Sequence, residues 1–298
     1  MKTKLPVAQL IPVVVLSLVM IPAALAVLPI FAFEPTWAKV LASAFAPVIF
    51  CLSYTFIAAV YSIPFHKSIM TGKFPRDITH AVYGPRRMYG LCWCAVFYFT
   101  PIYYAIMSLP TLRTSVFRLF GYKGHSNISI APDAWIRDLP LLNLEAGIYV
   151  ANKATIGTNI CMANGNILVE QVTLREGSMV GHLAMIAPGC TLGKKSEVGV
   201  GGAIGIRVNI GEDVRIAPSV SINHGTQLHN KVHVGAKSYI GLKAVISEGI
   251  KLPGGSNIPD GARIKTQSDV TKYAHAEVRD LSDTKERLEN ILTSRANF

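Results

Sequence analysis

From Leu144 through Val150, Ile156, Met162, Leu168 and Leu174 to Ile258 and Ile264, every sixth residue is aliphatic, twenty-one positions in a row. A period of six is neither the 3.6 of a helix nor the 2.0 of an alternating strand. It suits triangular coils of three short strands that stack their inward residues into one core, with eighteen residues per coil and no insertion from 144 to 264. Gly follows the aliphatic position at 157, 181, 193, 199, 205, 211, 235 and 241, where a corner would use positive φ. Four places after the aliphatic residue stands a small or branched side chain, with Asn166 the polar exception.

Ahead of the repeat the pattern is apolar without that period. Residues 10–33 carry no charge, and residues 40–65 repeat that character after a break holding Glu34, Pro35 and Lys39. Each is long enough to cross ~30 Å of hydrocarbon as a helix. A cleaved secretory signal, with Lys2 and Lys4 before Ala24-Leu25-Ala26, is the alternative. The apolar run continuing to Phe33 and the second span behind it argue against that reading. A third apolar segment, 90–110, has Pro101 near its middle and Arg113, Arg118 and Lys123 after it, which points to a re-entrant or interfacial helix pair. The chain thus divides into a membrane domain (1–127), a coiled domain (128–265) and a C-terminal extension (266–298). In the extension Leu288, Ile291 and Leu292 predict a capping helix over Asp283–Leu292.

Charge sharpens the topology. Of the formal net charge of +11, the first 127 residues hold 11 Lys/Arg against 2 Asp/Glu, and the rest hold 18 against 16. The excess lies in the apolar part, so it suggests a membrane surface and not nucleic acid, for which no motif is present. Lys67, Lys73, Arg76, Arg86 and Arg87 against Asp77 place the 66–89 stretch in the cytoplasm, and the coiled domain with it. The five cysteines, at 51, 92, 94, 161 and 190, are odd in number and irregular in spacing, as expected of small buried hydrophobes and not of a disulfide frame.

The hexads Ile204-Gly205-Ile206-Arg207-Val208-Asn209 and Ile240-Gly241-Leu242-Lys243-Ala244-Val245, with the closing Gly254-Gly255-Ser256-Asn257-Ile258-Pro259-Asp260-Gly261, resemble the left-handed β-helix hexapeptide-repeat acyltransferase superfamily over roughly residues 128–265. That resemblance implies a single-stranded left-handed parallel β-helix, a homotrimer with active sites between subunits, and a thioester donor. A narrower resemblance rests on Lys67-Ser-Ile-Met-Thr-Gly-Lys73-Phe-Pro75, Tyr83-Gly-Pro-Arg86-Arg87 and Leu112-Arg-Thr-Ser-Val-Phe-Arg118-Leu-Phe-Gly121-Tyr-Lys123-Gly. These are similar to the C-terminal region of polylysine-synthase-type enzymes, which implies a bacterial inner-membrane protein forming bonds from thioester-bound groups. Without an adenylation or carrier motif, the chain would receive an activated donor, acyl-CoA or a phosphopantetheine-carried thioester on a carrier protein.

Acyl transfer needs a base for the attacking hydroxyl or amine and donors for the oxyanion. The stretch from Ile222 to His233 resembles that holding the catalytic histidine in sugar O- and N-acetyltransferases, with His224 as base and His233 nine residues on touching the donor. Gly225 stands where that family usually has Asp or Glu, so the group orienting His224 is unidentified. One coil on, the Leu242 N–H would lie over His224 and face the oxyanion, in the segment Gly241-Leu242-Lys243, while Lys237, Lys243 and Lys251 would meet the donor's phosphates. His182, third in its hexad like His224, is the rival base on the next face. At ~4.8 Å per coil, His182 stands ~10 Å and His224 ~21 Å beyond Leu144. Two other classes stay open. His224 and His229 have the His-x4-His spacing of the zinc site in γ-class carbonic anhydrases, although no histidine supplies the third ligand two coils earlier, and no metal is expected. A non-catalytic trimeric scaffold would bind no thioester at all.

Overall fold

The period of six requires a flat strand, a corner and another flat strand, and the chain winds accordingly. In the computed structural model, which describes residues 5–273, three parallel seven-stranded sheets line the sides of a solenoid. Strands pair with their counterparts eighteen residues on, Val180 with Val198, Val198 with Ile216 and Ile216 with Val234. The aliphatic residue of each strand points into the shared interior, where columns such as Val180, Val198, Ile216 and Val234 exclude water and supply the main favourable term in folding.

Corners follow a uniform scheme. The third residue of the regular corner is left-handed, and Lys153, Leu183, Lys195, Arg207, Asp213, Ser219, Lys231, Lys237 and Lys243 adopt that conformation with φ between 53° and 59°. The glycine directly after the aliphatic residue was expected to supply this positive φ, and the structure corrects that. Gly205 is required by close approach instead, because a Cβ there would lie 2.6 Å from Nδ1 of His224 on the neighbouring coil.

The unbroken repeat also needs correction. Leu174 pairs with Leu144, thirty residues back, and with Leu192, eighteen on. Twelve residues therefore leave the solenoid in the second coil, as an antiparallel hairpin of Asn159–Cys161 and Asn166–Val169. Twelve is twice six, so the aliphatic phase passes through the hairpin undisturbed. Met162 is exposed and Leu168 half-buried, while Ile167 and Val169 are buried in their stead. Asn166 is no corner residue at all. Coiling also begins before Leu144, with strands Ser129–Ile130 and Trp135–Ile136.

The N-terminal part is helical. Helix α1 (Leu5–Leu25), α2 (Thr36–Ser43) and α3 (Ala46–Ser62) are followed by α4 (Tyr83–Phe97), α5 (Thr100–Ser108) and α6 (Pro110–Leu119). Two stretches, Leu10–Ala32 and Ala46–Ser68, are long and apolar enough to cross a membrane, while α4 and α5 bend by 82° at their junction. Pro101 sits in the first turn of α5, where its missing N–H costs nothing, and the bend precedes it. After the solenoid, Gln267–Val270 forms one turn, α7, capped by Thr266 and Asp269; the helix expected over Asp283–Leu292 lies outside the described residues.

The two parts are fastened by polar contacts. Strand Gly72–Pro75 adds to the hairpin as a third antiparallel strand, with Lys73 opposite Leu168 and Phe74 opposite Ile167. Trp93 Nε1 of α4 donates to the Ile136 carbonyl at 2.9 Å, Arg113 Nη2 of α6 to that of Ile128 at 2.6 Å, and the Tyr122 hydroxyl to that of Leu144 at 3.3 Å. Deepest is an ion pair between Arg86, on the first turn of α4, and Asp138, at the left-handed corner of the first coil, both buried. Asp138 also accepts from the Thr158 hydroxyl and, at 3.1 Å, from Asn159 Nδ2.

Candidate functional site

Each regular coil presents three corners, and the histidines fall on different ones. His182 stands at the corner after strand Met179–Val180, His224 two coils on at the corner after Ser221–Ile222, and His229 at the corner after Gln227–Leu228. All three are exposed. Because the hairpin adds no rise, His224 lies four coils above the first, ~19 Å at ~4.8 Å per coil, and His182 two coils, ~10 Å.

The rings differ in what they bond. His224 Nδ1 accepts the Ile206 backbone N–H at 2.9 Å. An imidazole nitrogen that accepts carries no proton, so the neutral ring holds its proton on Nε2. In that tautomer His224 has no lone pair free to take a proton and can only donate. The bond belongs to a recurring corner cap: Asn230 Oδ1 accepts from Glu212 N–H at 2.9 Å, and Asp260 Oδ1 from Leu242 N–H at 2.7 Å, each across eighteen residues. The cap on Leu242 engages the N–H that was expected to face an oxyanion. Sequence reading missed Asp260, although its distance of one coil from Leu242 is a usable signal.

His182 has no such commitment, since its side chain forms no hydrogen bond among the described residues. Its surroundings are apolar: Leu183 follows it, Met179 and Met185 flank it on the two adjoining strands, and Val200 occupies its position one coil on, all exposed. Leu183 is 58% exposed with φ 58°. The other left-handed corners of the solenoid carry Gly, Lys, Arg, Asp or Ser; Leu183 alone places an apolar side chain there. A bulky residue in that conformation is strained, and such strain concentrates at functional positions.

The remaining candidates separate into two groups. Gly241, Leu242 and Lys243 form the corner stacked on His224, with Lys243 lying over Gly225. His233 and Lys251 are neighbours in one column of the sheet opposite that corner, next to Arg215. Lys237 lies on the corner column of His182, three coils further on. One protomer does not bring these groups together. His224 and His229 likewise sit on different corners of one coil, and among the described residues no three His, Cys, Asp or Glu side chains gather as a metal site.

Compared with known proteins, the chain matches no family model and no curated protein. Among solved structures it is similar to a perosamine N-acetyltransferase mutant from Caulobacter crescentus in complex with CoA and GDP-perosamine, at 15% identity and TM-score 0.32, over 33% of this chain and 47% of that one. It is also similar to the UDP-N-acetylglucosamine acyltransferase of Campylobacter jejuni, at 18% identity and TM-score 0.26, over 48% and 68% of the two chains. A third is the acetyltransferase domain of PglB from Neisseria gonorrhoeae in complex with acetyl coenzyme A, at 18% identity and TM-score 0.19, over 53% and 61%. The chain spans about half the length of the first of these.

Proposed function

We propose that this chain is a membrane-anchored acyltransferase that moves an acyl, acetyl or aminoacyl group from a thioester, acyl-CoA or carrier-bound, to an amine or hydroxyl acceptor, with His182 as general base. The observation that carries the assignment is the uncommitted imidazole of His182 at an exposed apolar corner. A base needs a free lone pair within reach of the acceptor's proton, and His182 has one in either tautomer. As the acceptor oxygen or nitrogen bonds to the thioester carbonyl carbon, its proton passes to His182. The C–S bond then breaks, and the leaving thiolate takes that proton back.

The reading includes left-handed winding and a homotrimer, since the separated donor-site candidates, His233 and Lys251 on one side and Gly241, Leu242 and Lys243 on the other, can meet only across a boundary between copies. His224 then acts as a corner cap, or as an Nε2–H donor to a bound group, and not as the base.

The test uses native membranes containing the full chain, incubated with radiolabelled acetyl-CoA and, separately, with an acyl carrier thioester. Label transfer to an acceptor should vanish in His182→Ala and persist in His224→Asn. Transfer that survives His182→Ala while His224→Asn abolishes it would overturn the assignment of the base, and no transfer from either donor would overturn acyl transfer.

A further inference from the structure

Where the membrane helices meet the first coils, the chain builds a small cavity of about 100 Å³ lined by Arg76, Tyr83, Arg86, Arg87, Arg137, Asn159, Cys161 and Ile167. Four of its eight walls are guanidinium side chains and none is acidic. Beside the cavity, the carboxylate of Asp138 pairs with Arg86 and lies 3.8 Å from Arg137 Nε. Two arginines therefore face one buried anion. Arg86 is 2% exposed, and its Nη1 has no hydrogen-bond partner among the described residues. A buried guanidinium nitrogen without an acceptor is costly. The cavity it lines offers the missing partner a place.

The surroundings select for an anion. Gly90, one turn beyond Arg86, leaves space filled by the Arg137 guanidinium, which a Cβ there would strike. Arg76 is set by the hairpin sheet, its N–H donating to the Gly165 carbonyl at 3.0 Å, and its Nε donates to the Tyr83 hydroxyl at 3.2 Å. Tyr83 and Arg86 lie on the first turn of α4, at the positive end of the helix dipole. The volume is that of about three waters, enough for one tetrahedral oxyanion. Planar guanidinium groups are suited to binding phosphate oxygens in pairs.

Two further observations say where the phosphate comes from. The candidate span Ala46–Ser68 ends just before strand Gly72–Pro75, and Arg76 follows that strand at once, so the cavity lies at the level where the span leaves the hydrocarbon. α4 then runs back along the span, with Tyr89 against His66 near its end and the Tyr54 hydroxyl on the Ala95 carbonyl further in. On the face of α4 that carries Tyr83 and Arg87, the following residues at helical spacing are Leu91, Cys94, Ala95 and Tyr98, and these line an apolar groove of about 400 Å³ together with Pro12, Val15 and Leu16. At ~1.5 Å per residue, the stripe from Arg87 to Tyr98 is ~16 Å long, about half of a ~30 Å hydrocarbon core. That is the depth of one leaflet.

We propose that the arginine cavity binds the phosphate of a membrane lipid whose acyl or prenyl chain lies in the adjoining groove along α4. The site is independent of the chemistry assigned to His182, and its test requires no enzymatic activity.

The experiment uses the full chain in mild detergent. Native mass spectrometry is run with dioleoyl phosphatidic acid, with dihexanoyl phosphatidic acid, with phosphatidylcholine and with inorganic phosphate. Alkylation of Cys161, which lines the cavity and is exposed, is followed by peptide mapping. Dioleoyl phosphatidic acid should bind at least tenfold better than phosphatidylcholine or the dihexanoyl lipid, and should slow Cys161 alkylation severalfold. Arg137→Gln and Arg76→Gln, which leave the Arg86–Asp138 pair intact, should each reduce that binding by about tenfold. Circular dichroism melting of both variants establishes that they fold. Equal binding of phosphatidylcholine, or phosphatidic acid binding unaltered in both folded variants, overturns the site. Protection of Cys161 by inorganic phosphate as strong as that by the long-chain lipid overturns the lipid as its source.

Discussion

His224 and Ile206 stand eighteen residues apart on adjacent coils, and the ring nitrogen of one receives the backbone N–H of the other at 2.9 Å. That bond decides which proton the ring can offer. An asparagine side-chain oxygen can replace Nδ1 as acceptor, as Asn230 does for Glu212. His224→Asn should therefore keep folding and most of the transfer activity, while His224→Ala loses up to about 1 kcal/mol of stability. His182→Ala should leave stability within about 0.5 kcal/mol and lower turnover by a factor of about 10²–10⁴. Melting curves and label transfer on the same preparations separate the two effects.

The apolar corner around His182 supplies the second expectation. If Leu183 faces a neighbouring copy, Leu183→Asn removes the apolar contact while retaining the left-handed backbone, which Asn tolerates. Mass photometry in mild detergent should show the parent as a trimer and this variant shifted toward smaller species. A parent that is a monodisperse monomer contradicts the trimer.

Asp138 neutralises Arg86 inside the junction, and removing one member of a buried pair leaves the other uncompensated. Asp138→Ala should cost about 3–5 kcal/mol, seen as early loss of monodispersity on heating. A cost below 1 kcal/mol would mean that water reaches Arg86 in solution.

The hairpin tests the arithmetic of the repeat. Deleting residues 159–170 joins Thr158 to Gln171 and restores a spacing of six from Ile156 to Leu174. The solenoid should still wind, with unchanged hydrogen-exchange protection from Val180 to Ile264. The segment from Ile69 to Asp77, deprived of its partner strand, should become a site of proteolysis. Collapse of protection in the later coils would show that the hairpin is needed for winding itself.

Cys190 gives a pH dependence. Its thiol lies in the solenoid interior, donating to the Gly205 carbonyl at 2.8 Å, and burial pushes its pKa up from 9.0 to about 12. The folded chain thus holds this proton where the unfolded chain releases it. The associated stability is present below pH 9 and is lost as pH rises from there toward 12. Denaturant midpoints should fall across that window in the parent and fall less in Cys190→Val, and Cys190 should resist alkylation at pH 8 while Cys161 reacts.

Much of the solenoid could be read from the chain because burial acts on every sixth residue independently of what lies outside. Ile204, Ile222 and Ile240 declare their inward position without reference to any partner. Met162 and Leu168 show the limit of such a pattern: an insertion of two hexads keeps the phase, so aliphatic spacing cannot distinguish it from two more strands. Gly205 shows another, since a glycine demanded by a neighbour's ring looks the same in sequence as one demanded by its own φ. The outward direction of His182 and His224 followed from register alone. Their chemical difference did not, because it depends on an N–H eighteen residues away for one and on nothing comparable for the other. Arg86 and Asp138 were beyond reach for a similar reason: their meeting depends on how α4 seats against the first coil, which no periodicity encodes.

The three-stranded sheet that joins Gly72–Pro75 to Asn166–Val169 also sets an order of events during synthesis. Gly72 finds its partner Val169 only after ninety-seven further residues have been made. At ~5–20 residues per second, that is a wait of roughly 5–20 s, during which Phe74 and the polar backbone beside it have no strand to pair with. Within that interval the first two spans can already lie in the bilayer, and Asp138 is made fifty-two residues after Arg86, ahead of Val169. Closure of the sheet then adds to the contacts that fasten the solenoid to the membrane helices, while the second coil, which ends at Leu174, is being completed and before the coils bearing His182 and His224 have formed.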